Sequence, residues 1–369
     1  MARQGRQGLT TDRLRRIAAC RRDMKKVGAQ ALLLTNEPDY HYVSGFSGEE
    51  SAVLVTPRDV FLVTDRRFEE QIKSEAPWAK QFMRRGLLNA EIARACLQLK
   101  VSRLAVQGDH LTLADRDEIA GLVKGVKIVP TSRLVAGLRK IKSEDELKLM
   151  AKAIRIAEEA YKATLSSIKT GQTELEMAAR LEYEMKCRGS LRPAFPTICA
   201  EGPNAALPHA RPGTRKVKRG SSILFDWGAR WHGYNSDLTR VVFIGSIPAK
   251  LGEIYKVVLD AQLAAIEAVA PGRRMCDVDA VARGLIDKAG FGHEFSHGLG
   301  HGLGLDVHES PSLSWRSEEE LRPGMLVTVE PGIYVPGLGG VRIEDDVVVT
   351  DRGCRVLTHL SKKLDDAVL

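Results

Sequence analysis

Histidine and glycine alternate in one short stretch of the sequence, from His297 to Glu309. The stretch reads His-Gly-Leu-Gly-His-Gly-Leu-Gly-Leu-Asp-Val-His-Glu and holds three of the nine histidines, His297, His301 and His308. A His-x-x-x-His pair is typical of helical zinc sites, where both imidazoles share one helix face. Four glycines in eight residues would each cost a helix about 1 kcal/mol, so the helical interpretation is excluded. The stretch instead predicts an extended segment that holds imidazoles at a crowded site.

The period of two in this stretch predicts which side chains lie together. One side would hold His297, Leu299, His301, Leu303 and Leu305, with bare backbone on the other. The glycines would let another backbone or a substrate approach closely. The competing interpretation is a glycine-rich loop whose histidines are incidental, and three histidines in twelve residues disfavour it.

Four acidic residues lie on apolar strands elsewhere in the second half of the sequence. Asp226 and Glu330 each end an apolar run, while Asp237 and Glu344 lie on the strands predicted to return. A buried carboxylate is costly unless it is paired, hydrogen-bonded or bound to a metal. Glycines six residues before and two residues after Asp226 recur around Glu330, which indicates a weak internal repeat of a two-carboxylate β-hairpin. Two facing hairpins would bring four repelling acids together, and these would need one or two divalent cations.

The four carboxylates and His301 form an oxygen-rich donor set. Such a set suits Mn²⁺ first, with Fe²⁺, Co²⁺ or Zn²⁺ as alternatives, and is unlike the thiolate sites of structural zinc. Two ions bridged by carboxylates would lie about 3.5–4 Å apart and share a water or hydroxide. Each acid taken singly could cap a turn or pair with Arg240 or Arg342. Taken together with His301, the acids favour a metal site.

The elements that must position these residues divide the chain in two. At 369 residues the sequence predicts two domains, 1–140 and 141–369. In the first, strands alternate with helices, which predicts an α/β layer with a partly parallel sheet. In the second, a helix begins at the capping box Ser143-x-x-Glu146 and further helices group beside antiparallel strands, one of them predicted over 341–349. This pattern predicts an α+β fold.

The distribution of charge and of cysteines indicates which class of protein the sequence encodes. The net charge is +8, but residues 1–26 hold nine Lys and Arg against two acids, so the rest of the chain is nearly neutral. We interpret this basic arm as a frayed tail over 1–9 followed by a solvated helix face, rather than as a nucleic-acid or membrane contact. Six scattered cysteines without a C-x-x-C pair indicate free thiols in a reducing compartment. With no signal-peptide pattern and no run near 18 apolar residues, we expect a soluble cytoplasmic protein.

Five motifs in the second half resemble, in the same order, those of the pita-bread metallopeptidases, and specifically the Xaa-Pro branch of aminopeptidase P and prolidase. They are Phe225-Asp226-Trp227-Gly228-Ala229, Ser236-Asp237-Leu238-Thr239-Arg240, the stretch from His297 to Glu309, Glu330-Pro331-Gly332-Ile333-Tyr334 and Val341-Arg342-Ile343-Glu344. In the first half, Val43-Ser44-Gly45-Phe46-Ser47-Gly48 is similar to an early motif of the creatinase-type domain in that branch. The resemblance implies a creatinase-like α/β N-terminal domain followed by an α+β pita-bread catalytic domain with antiparallel sheet.

The resemblance also implies a role for each site residue. The metal ligands would be Asp226, Asp237, His301, Glu330 and Glu344. Glu330 would in addition act as general base and then acid. His209 would contact substrate near the scissile bond, His308 would stabilise the tetrahedral intermediate, and His297 would line the site for the residue after the cut. Arg342 would orient Glu344 and the neighbouring acids.

The activity implied is metal-dependent hydrolysis of the Xaa-Pro bond, at the N-terminus of peptides or in Xaa-Pro dipeptides, by a metal-bridging hydroxide. The implied cofactors are two divalent metal ions, Mn²⁺ first. The implied partners are proline-containing peptides and a second subunit of a homodimer, with no nucleic acid and no membrane. The alternatives are a metal-free creatinase-like hydrolase, a non-catalytic pita-bread binding module, and a methionine aminopeptidase. The retained ligands disfavour the first two, and the size of the N-terminal half disfavours the third. Aminopeptidase and dipeptidase both stay open.

Overall fold

The computed structural model describes residues 10–369, so the tail expected over 1–9 lies outside the described residues. The chain divides into two compact units, Met1–Arg139 and Lys140–Leu369. None of the helices within residues 10–369 combines the length and apolar character that a membrane crossing needs.

In the first unit, strands alternate with helices, as the sequence predicts. Its helices are α1 (Thr11–Lys26), α2 (Glu37–Ser44), α3 (Glu69–Glu75), α4 (Leu88–Gln98), α5 (Leu113–Leu122) and α6 (Leu134–Arg139). Its strands are β1 (Ala31–Leu34), β2 (Ala52–Val55), β3 (Val60–Thr64), β4 (Lys80–Met83), β5 (Arg103–Gln107) and β6 (Lys127–Thr131).

The six strands form one mixed sheet in the order β4-β3-β2-β1-β5-β6. The meander of β1, β2 and β3 is antiparallel, whereas β4, β5 and β6 join by parallel pairing. Every residue of β1, β2 and β3 is buried, as expected for central strands covered on both faces. The predicted α/β layer with a partly parallel sheet is therefore confirmed.

In the second unit, long helices surround antiparallel strands. Its helices are α7 (Glu144–Leu165), α8 (Glu174–Cys187), α9 (Ala249–Ala268) and α10 (Met275–Lys288). Its strands are β7 (Ile198–Glu201), β8 (Ser222–Trp227), β9 (Arg230–Trp231), β10 (Tyr234–Asn235), β11 (Leu238–Phe243), β12 (Gly300–Gly302), β13 (Glu309–Leu313), β14 (Leu326–Val329), β15 (Gly332–Val335), β16 (Gly339–Arg342), β17 (Asp345–Val349) and β18 (Cys354–Val356).

Two main antiparallel sheets organise this second unit. One has the order β11-β8-β7 and the other β13-β12-β14-β17-β18, while β9 with β10 and β15 with β16 form small hairpins. The capping box at Ser143 forms as predicted, with Ser143 and Glu146 each bonding the backbone N–H of the other. The α+β architecture with antiparallel sheet is confirmed.

One strand prediction is wrong. The sequence predicts a single strand over 341–349, but the chain there forms β16 and β17, which belong to different sheets. β16 pairs with β15, and β17 pairs with β14. Glu344 therefore lies in the break between two strands rather than within one. An apolar run does not reveal where a strand leaves one ladder and joins another, because both halves are buried.

The core explains why an acid can lie on an apolar strand. Successive side chains of β8 point to opposite faces. Leu224 packs in the apolar cluster that α9 and α10 cover, whereas Phe225 and Trp227 pack in the cluster that α7 and α8 cover. Asp226 takes the same face as Leu224, away from the stacked rings of Trp227 and Tyr161, whose centroids lie 4.3 Å apart. The strand thus presents its carboxylate on the face opposite the aromatic layer.

Candidate metal centre

One cavity of about 510 Å³ in the second unit is lined by every site residue that the sequence singles out. These are the four acids, the four histidines and the arginine, namely His209, Asp226, Asp237, His297, His301, His308, Glu330, Arg342 and Glu344. A volume of this size is in the range of small-molecule sites.

The first pair of acids lies on the hairpin of β8 and β11. The ladder places Asp226 opposite Thr239, and Asp237 immediately precedes β11. The backbone N–H of Asp237 donates to Oδ2 of Asp346 at 3.3 Å. Asp346 is fully buried and is not among the residues that the sequence predicts for the site.

The second pair of acids lies at the ends of β14 and β17. Because the ladder pairs Val329 with Asp345, the next positions along, Glu330 and Glu344, face each other just beyond it. The backbone N–H of Glu344 donates to the carbonyl of Thr239 at 3.2 Å. The Thr239 hydroxyl also donates to the Glu344 carboxylate at 2.7 Å. The two predicted hairpins therefore meet, and Thr239 joins them.

His301 lies in the middle of the short strand β12. Its Nδ1 lies 3.1 Å from the carbonyl of Gly302, so this nitrogen holds the proton and Nε2 is directed at the acids. Nε2 is 3.2 Å from Oε1 of Glu330 and 3.7 Å from Oδ2 of Asp237. Metal-binding histidines commonly anchor their other nitrogen to a carbonyl in this way.

The expected extended segment is shorter than the period of two implies. Between His297 and His308 the ladder includes Gly300–Gly302, Glu309 begins β13, and the pairing shifts by a bulge after His301. A Cβ on Gly300 would lie 2.0 Å from the Thr328 carbonyl, and one on Gly302 would lie 2.5 Å from the Ser310 carbonyl. Glycine is therefore required at these two positions because the backbone of a neighbouring strand approaches closely. This is one of the two roles expected of them, and close approach of substrate is not needed to explain it.

The donor atoms fit a divalent cation. One ligand atom each from Asp237, His301 and Glu344 lie within 4.8 Å of one another. No group within residues 10–369 forms a hydrogen bond with the buried Oδ1 of Asp226. Burial and repulsion from Glu330 and the other acids raise the pKa values of Asp226, Asp237 and Glu344. Buried carboxylates whose charges lack compensation within the chain are the donor chemistry that a metal site requires.

The pKa values of Glu330 and His301 shift in the opposite direction from those of the other three acids and of His297 and His308. Burial opposes ionisation of Glu330, but the hydrogen bond and charge of His301 outweigh it and lower the pKa of Glu330 to about 2. Burial likewise opposes protonation of His301, yet its bond to Glu330 raises the pKa of the imidazole. Thr328 donates to Oε1 of Glu330 at 3.0 Å and accepts from the backbone N–H of His301. One threonine thus orients both groups.

Arg342 contacts one of the site acids directly and another through a threonine. Its Nη2 donates to Asp226 at 2.5 Å, and its Nε donates to the Thr239 hydroxyl at 3.0 Å. It is linked to Glu344 through the Thr239 hydroxyl, which donates to the Glu344 carboxylate, so the role expected for it in orienting Glu344 and the neighbouring acids stays a prediction. Its Nη1 donates to the Tyr334 hydroxyl at 2.7 Å. Tyr334 stands in the motif that begins with Glu330, but the sequence pattern predicted no role for it.

His297 has both ring nitrogens engaged. Nδ1 lies 2.8 Å from the Gly298 carbonyl, and Nε2 lies 2.9 Å from the Tyr334 hydroxyl. Because the carbonyl can only accept, Nδ1 carries the proton and Nε2 accepts from Tyr334. Burial lowers the pKa of His297, which favours this neutral form. His297 lines the cavity as predicted, but with a ring whose polar atoms are satisfied by the chain itself.

Distant residues hold the loop that carries His308. The Lys142 ammonium and the Glu309 carboxylate form a buried ion pair at 2.7 Å, with side chains 1% and 6% exposed. The amide of Asn235 donates to the carbonyls of Gly304 and Leu305 at 2.9 and 3.0 Å. His308 itself is exposed, and its ring centroid lies 4.3 Å from that of His301. The loop is thus anchored on both sides of its tip.

Lys142→Met is expected to lower the free energy of unfolding by about 3 kcal/mol, because it removes the buried ammonium that balances the charge of the Glu309 carboxylate. Displacement of His308 is expected to lower kcat by roughly tenfold. Urea denaturation and steady-state kinetics measure the two effects. The matched control is Lys148→Met, which removes an exposed pair with Asp145 and should cost less than about 0.5 kcal/mol. The double variant Lys142→Met with Glu309→Gln should recover most of the lost stability. If it does not, the loss is not caused by the unbalanced Glu309 charge.

Both halves of the chain match known protein families. Residues 148–351 match metallopeptidase family M24, and residues 16–141 match the creatinase/prolidase N-terminal domain. A protein named Xaa-Pro dipeptidase from Pyrococcus horikoshii is 36% identical over 342 residues, which cover 92% of this chain and 96% of the relative.

Solved structures of proteins with similar names share the fold of this chain. A structure described as Xaa-Pro dipeptidase from Bacillus anthracis is similar with a TM-score of 0.92 and 37% identity, covering 97% of this chain and all of that one. A structure described as X-Pro aminopeptidase from Thermotoga maritima is similar with a TM-score of 0.88 and 35% identity, covering 94% of this chain and all of that one. The similarity therefore spans both units of the chain.

Proposed function

The chain belongs to metallopeptidase family M24 and carries a creatinase/prolidase N-terminal domain, and from this premise we propose that it hydrolyses the Xaa-Pro peptide bond with the help of two divalent metal ions. The observation that carries the proposal is the convergence of four carboxylates and His301 in one cavity that three further histidines line. Relatives named Xaa-Pro dipeptidase and X-Pro aminopeptidase share one activity in their names, cleavage at Xaa-Pro. That shared activity is what we carry to this chain.

We propose that the two ions are held by Asp226, Asp237, His301, Glu330 and Glu344. The oxygen-rich donor set favours Mn²⁺, with Co²⁺, Zn²⁺ or Fe²⁺ as alternatives. When bound, the ions supply an acidified water as nucleophile and polarise the scissile carbonyl. The raised pKa values of Asp226, Asp237 and Glu344 support this proposal over a metal-free hydrolase or binding module, in which these three buried carboxylates would lack sufficient countercharge.

Glu330 moves the proton in the proposed reaction. Its pKa of about 2 keeps the carboxylate ionised at neutral pH, ready to accept a proton from the attacking water. The hydrogen bond from Thr328 fixes Oε1 while this happens. Glu330 then gives the proton to the proline nitrogen, which must be protonated before it can leave as an amine.

His209 and His308 stabilise the negative charge that develops on the carbonyl oxygen. Both line the cavity and both are exposed, so their ring N–H groups can reach a substrate. Desolvation and the nearby His301 lower the pKa of His308, so it donates as a neutral imidazole at neutral pH. Donors placed in advance at the position of developing charge need no reorganisation during the reaction.

A homodimer and a cytoplasmic location stay predictions. Six free cysteines are compatible with a reducing compartment, and sedimentation of the purified chain measures the oligomeric state. We place the junction of the creatinase-like and catalytic domains beside Arg139 and Lys140, where the two compact units divide.

The substrate assay uses Ala-Pro, Ala-Pro-Ala and Ala-Ala, each with chelator-treated protein and again after addition of Mn²⁺. Hydrolysis of at least one Xaa-Pro substrate is expected only with Mn²⁺, at a kcat/KM roughly 100-fold above that for Ala-Ala. Liberated alanine measures turnover, and elemental analysis of the active protein counts the ions. A protein that binds these peptides without metal and hydrolyses none of them would refute the proposal.

A further inference from the structure

An ion pair on α10 contacts the backbone that carries the first histidine of the site. Asp279 and Arg283 lie four residues apart on this helix, so both side chains project from the same face. Nε and Nη2 of Arg283 donate to the two carboxylate oxygens of Asp279 at 2.8 and 3.0 Å. Asp279 is fully buried. Two parallel hydrogen bonds between planar groups fix their relative geometry, so this pair can position other groups.

The rest of the Arg283 guanidinium binds the segment 295–299. Its Nη1 donates to the Phe295 carbonyl at 3.0 Å, and its Nη2 donates to the His297 carbonyl at 2.9 Å. Its central carbon also lies over two aromatic rings, 4.2 Å from the centroid of Phe295 and 4.6 Å from that of Trp315. Arg283 therefore fixes the backbone of His297 from the side of α10.

Asp279 binds the same segment two residues further on. Its Oδ1 accepts the backbone N–H of Leu299 at 3.0 Å. That N–H belongs to the peptide group whose carbonyl, at Gly298, accepts from Nδ1 of His297. A carboxylate that accepts from a peptide N–H polarises the peptide group and strengthens its carbonyl as an acceptor. Asp279 therefore favours the His297 tautomer that has its proton on Nδ1.

Leu299 also connects Asp279 to the proposed general base. The Leu299 carbonyl accepts the backbone N–H of Glu330 at 2.8 Å. One residue thus bonds Asp279 through its N–H and Glu330 through its carbonyl. A shift of Leu299 away from α10 would move both the His297 ring and the backbone of Glu330.

We propose that Asp279 and Arg283 are positioning residues, which hold the His297 ring and Glu330 in the geometry that the reaction needs. The effect on rate rests on the proposed Xaa-Pro hydrolysis, whereas the orientation of the His297 ring does not. Displacement of a reacting group by about 1 Å can lower a rate by about 100-fold. An ion pair that served only stability would leave the turnover of the folded protein unchanged.

The first test measures kcat and KM of the full chain with Mn²⁺, on whichever of Ala-Pro and Ala-Pro-Ala the wild type hydrolyses. Arg283→Ala and Asp279→Asn are each expected to lower kcat by about 10- to 100-fold. KM should change by less than about threefold, because both ring nitrogens of His297 bond to the chain. A fall in kcat above about threefold, per folded and Mn²⁺-loaded chain, supports the proposal, and a smaller one overturns it.

Chemical rescue and a matched control accompany this test. Millimolar guanidinium should raise kcat of Arg283→Ala, because the Arg283 side chain is 26% exposed and its site keeps the Asp279 carboxylate. Sodium chloride at the same concentration should not. Arg283→Lys should recover little, since one ammonium cannot reproduce the planar set of donors. The control is Arg274→Ala, which removes an exposed pair with Asp277 at the start of α10 and should change kcat by less than about twofold.

Nitrogen NMR spectra of the imidazoles in the chelator-treated chain test the orientation without turnover. At neutral pH, wild-type His297 should carry its proton on Nδ1, and Asp279→Asn should give a mixture of both tautomers. The His297→Gln variant identifies the signal. If the wild type hydrolyses neither peptide, the proposed function fails and these spectra alone decide. A changed tautomer in Asp279→Asn then supports the positioning role, and an unchanged one overturns it.

Discussion

Asp237→Ala and His301→Ala are each expected to reduce kcat/KM by about a thousandfold or more while the fold stays intact. Both residues place a donor atom in the cluster whose atoms lie within 4.8 Å of one another. Metal ions contribute several kcal/mol to transition-state stabilisation, and about 4 kcal/mol corresponds to a thousandfold in rate. Near-normal turnover in either variant would show that the ligand assignment is wrong.

The two variants should differ in the stability of the metal-free protein. Burial and the charge of Glu344 raise the pKa of Asp237 well above its usual value, so its ionised form opposes folding at neutral pH. Asp237→Ala removes that opposition and should melt at or above the wild-type temperature. His301 instead pairs with Glu330, which raises the pKa of His301 and lowers that of Glu330. His301→Ala loses this pair and should melt below the wild type.

Thermal melts with chelator and with excess Mn²⁺ measure both effects. Metal that binds only the folded state raises the melting temperature, and both variants should lose most of that increase. Asp260→Ala and His293→Ala, exposed side chains in the same unit, are the matched controls and should keep activity and the response to metal. Equal melting temperatures for the two site variants in chelator would contradict the opposite pKa shifts.

Arg342→Met is expected to lower the free energy of unfolding of the metal-free protein by about 3–5 kcal/mol. The Arg342 side chain is 4% exposed and its guanidinium forms an ion pair with Asp226, so its loss leaves a buried carboxylate without its countercharge. The variant should also lose activity, because the donation from Arg342 through the Tyr334 hydroxyl to His297 would be broken. Arg342→Lys should recover less than half of the stability, since one ammonium cannot reproduce the planar set of donors.

Urea denaturation in chelator measures this effect. The matched control is Arg352→Met, an exposed arginine in the same unit, which should change the free energy of unfolding by less than about 0.5 kcal/mol. Adding Asp226→Asn to Arg342→Met should restore stability without restoring activity, because it removes the unpaired charge and also a proposed ligand. If Arg342→Met unfolds at the wild-type urea concentration, the ion pair contributes nothing and the assignment is wrong.

The fold and the members of the site could be predicted because their patterns are local. Strand and helix alternation distinguishes the two halves, and a capping box marks the start of α7 within four residues of sequence. The unfavourable burial of a carboxylate identifies Asp226 and Glu330 from their own apolar strands. The structure brings these acids and His301 to one cavity, as the interpretation of two facing hairpins requires.

Other features depend on contacts between residues more than a hundred positions apart. Thr239 joins the two hairpins by bonding Glu344, and Asp346 accepts from the backbone of Asp237. Lys142 reaches Glu309 across 167 positions. None of these three contacts follows from periodicity, because periodicity specifies the face of a strand and not the partner that the face meets.

The sequence by itself determined the two-domain architecture, the family resemblance and which residues line the site, because burial cost and spacing act over short distances. Only the tertiary structure decided how those residues are held. It placed Glu344 in a break between β16 and β17 and directed Arg342 to Asp226. The physical reason is that ion pairs and hydrogen bonds across the cavity depend on where distant strands cross, which no local pattern records.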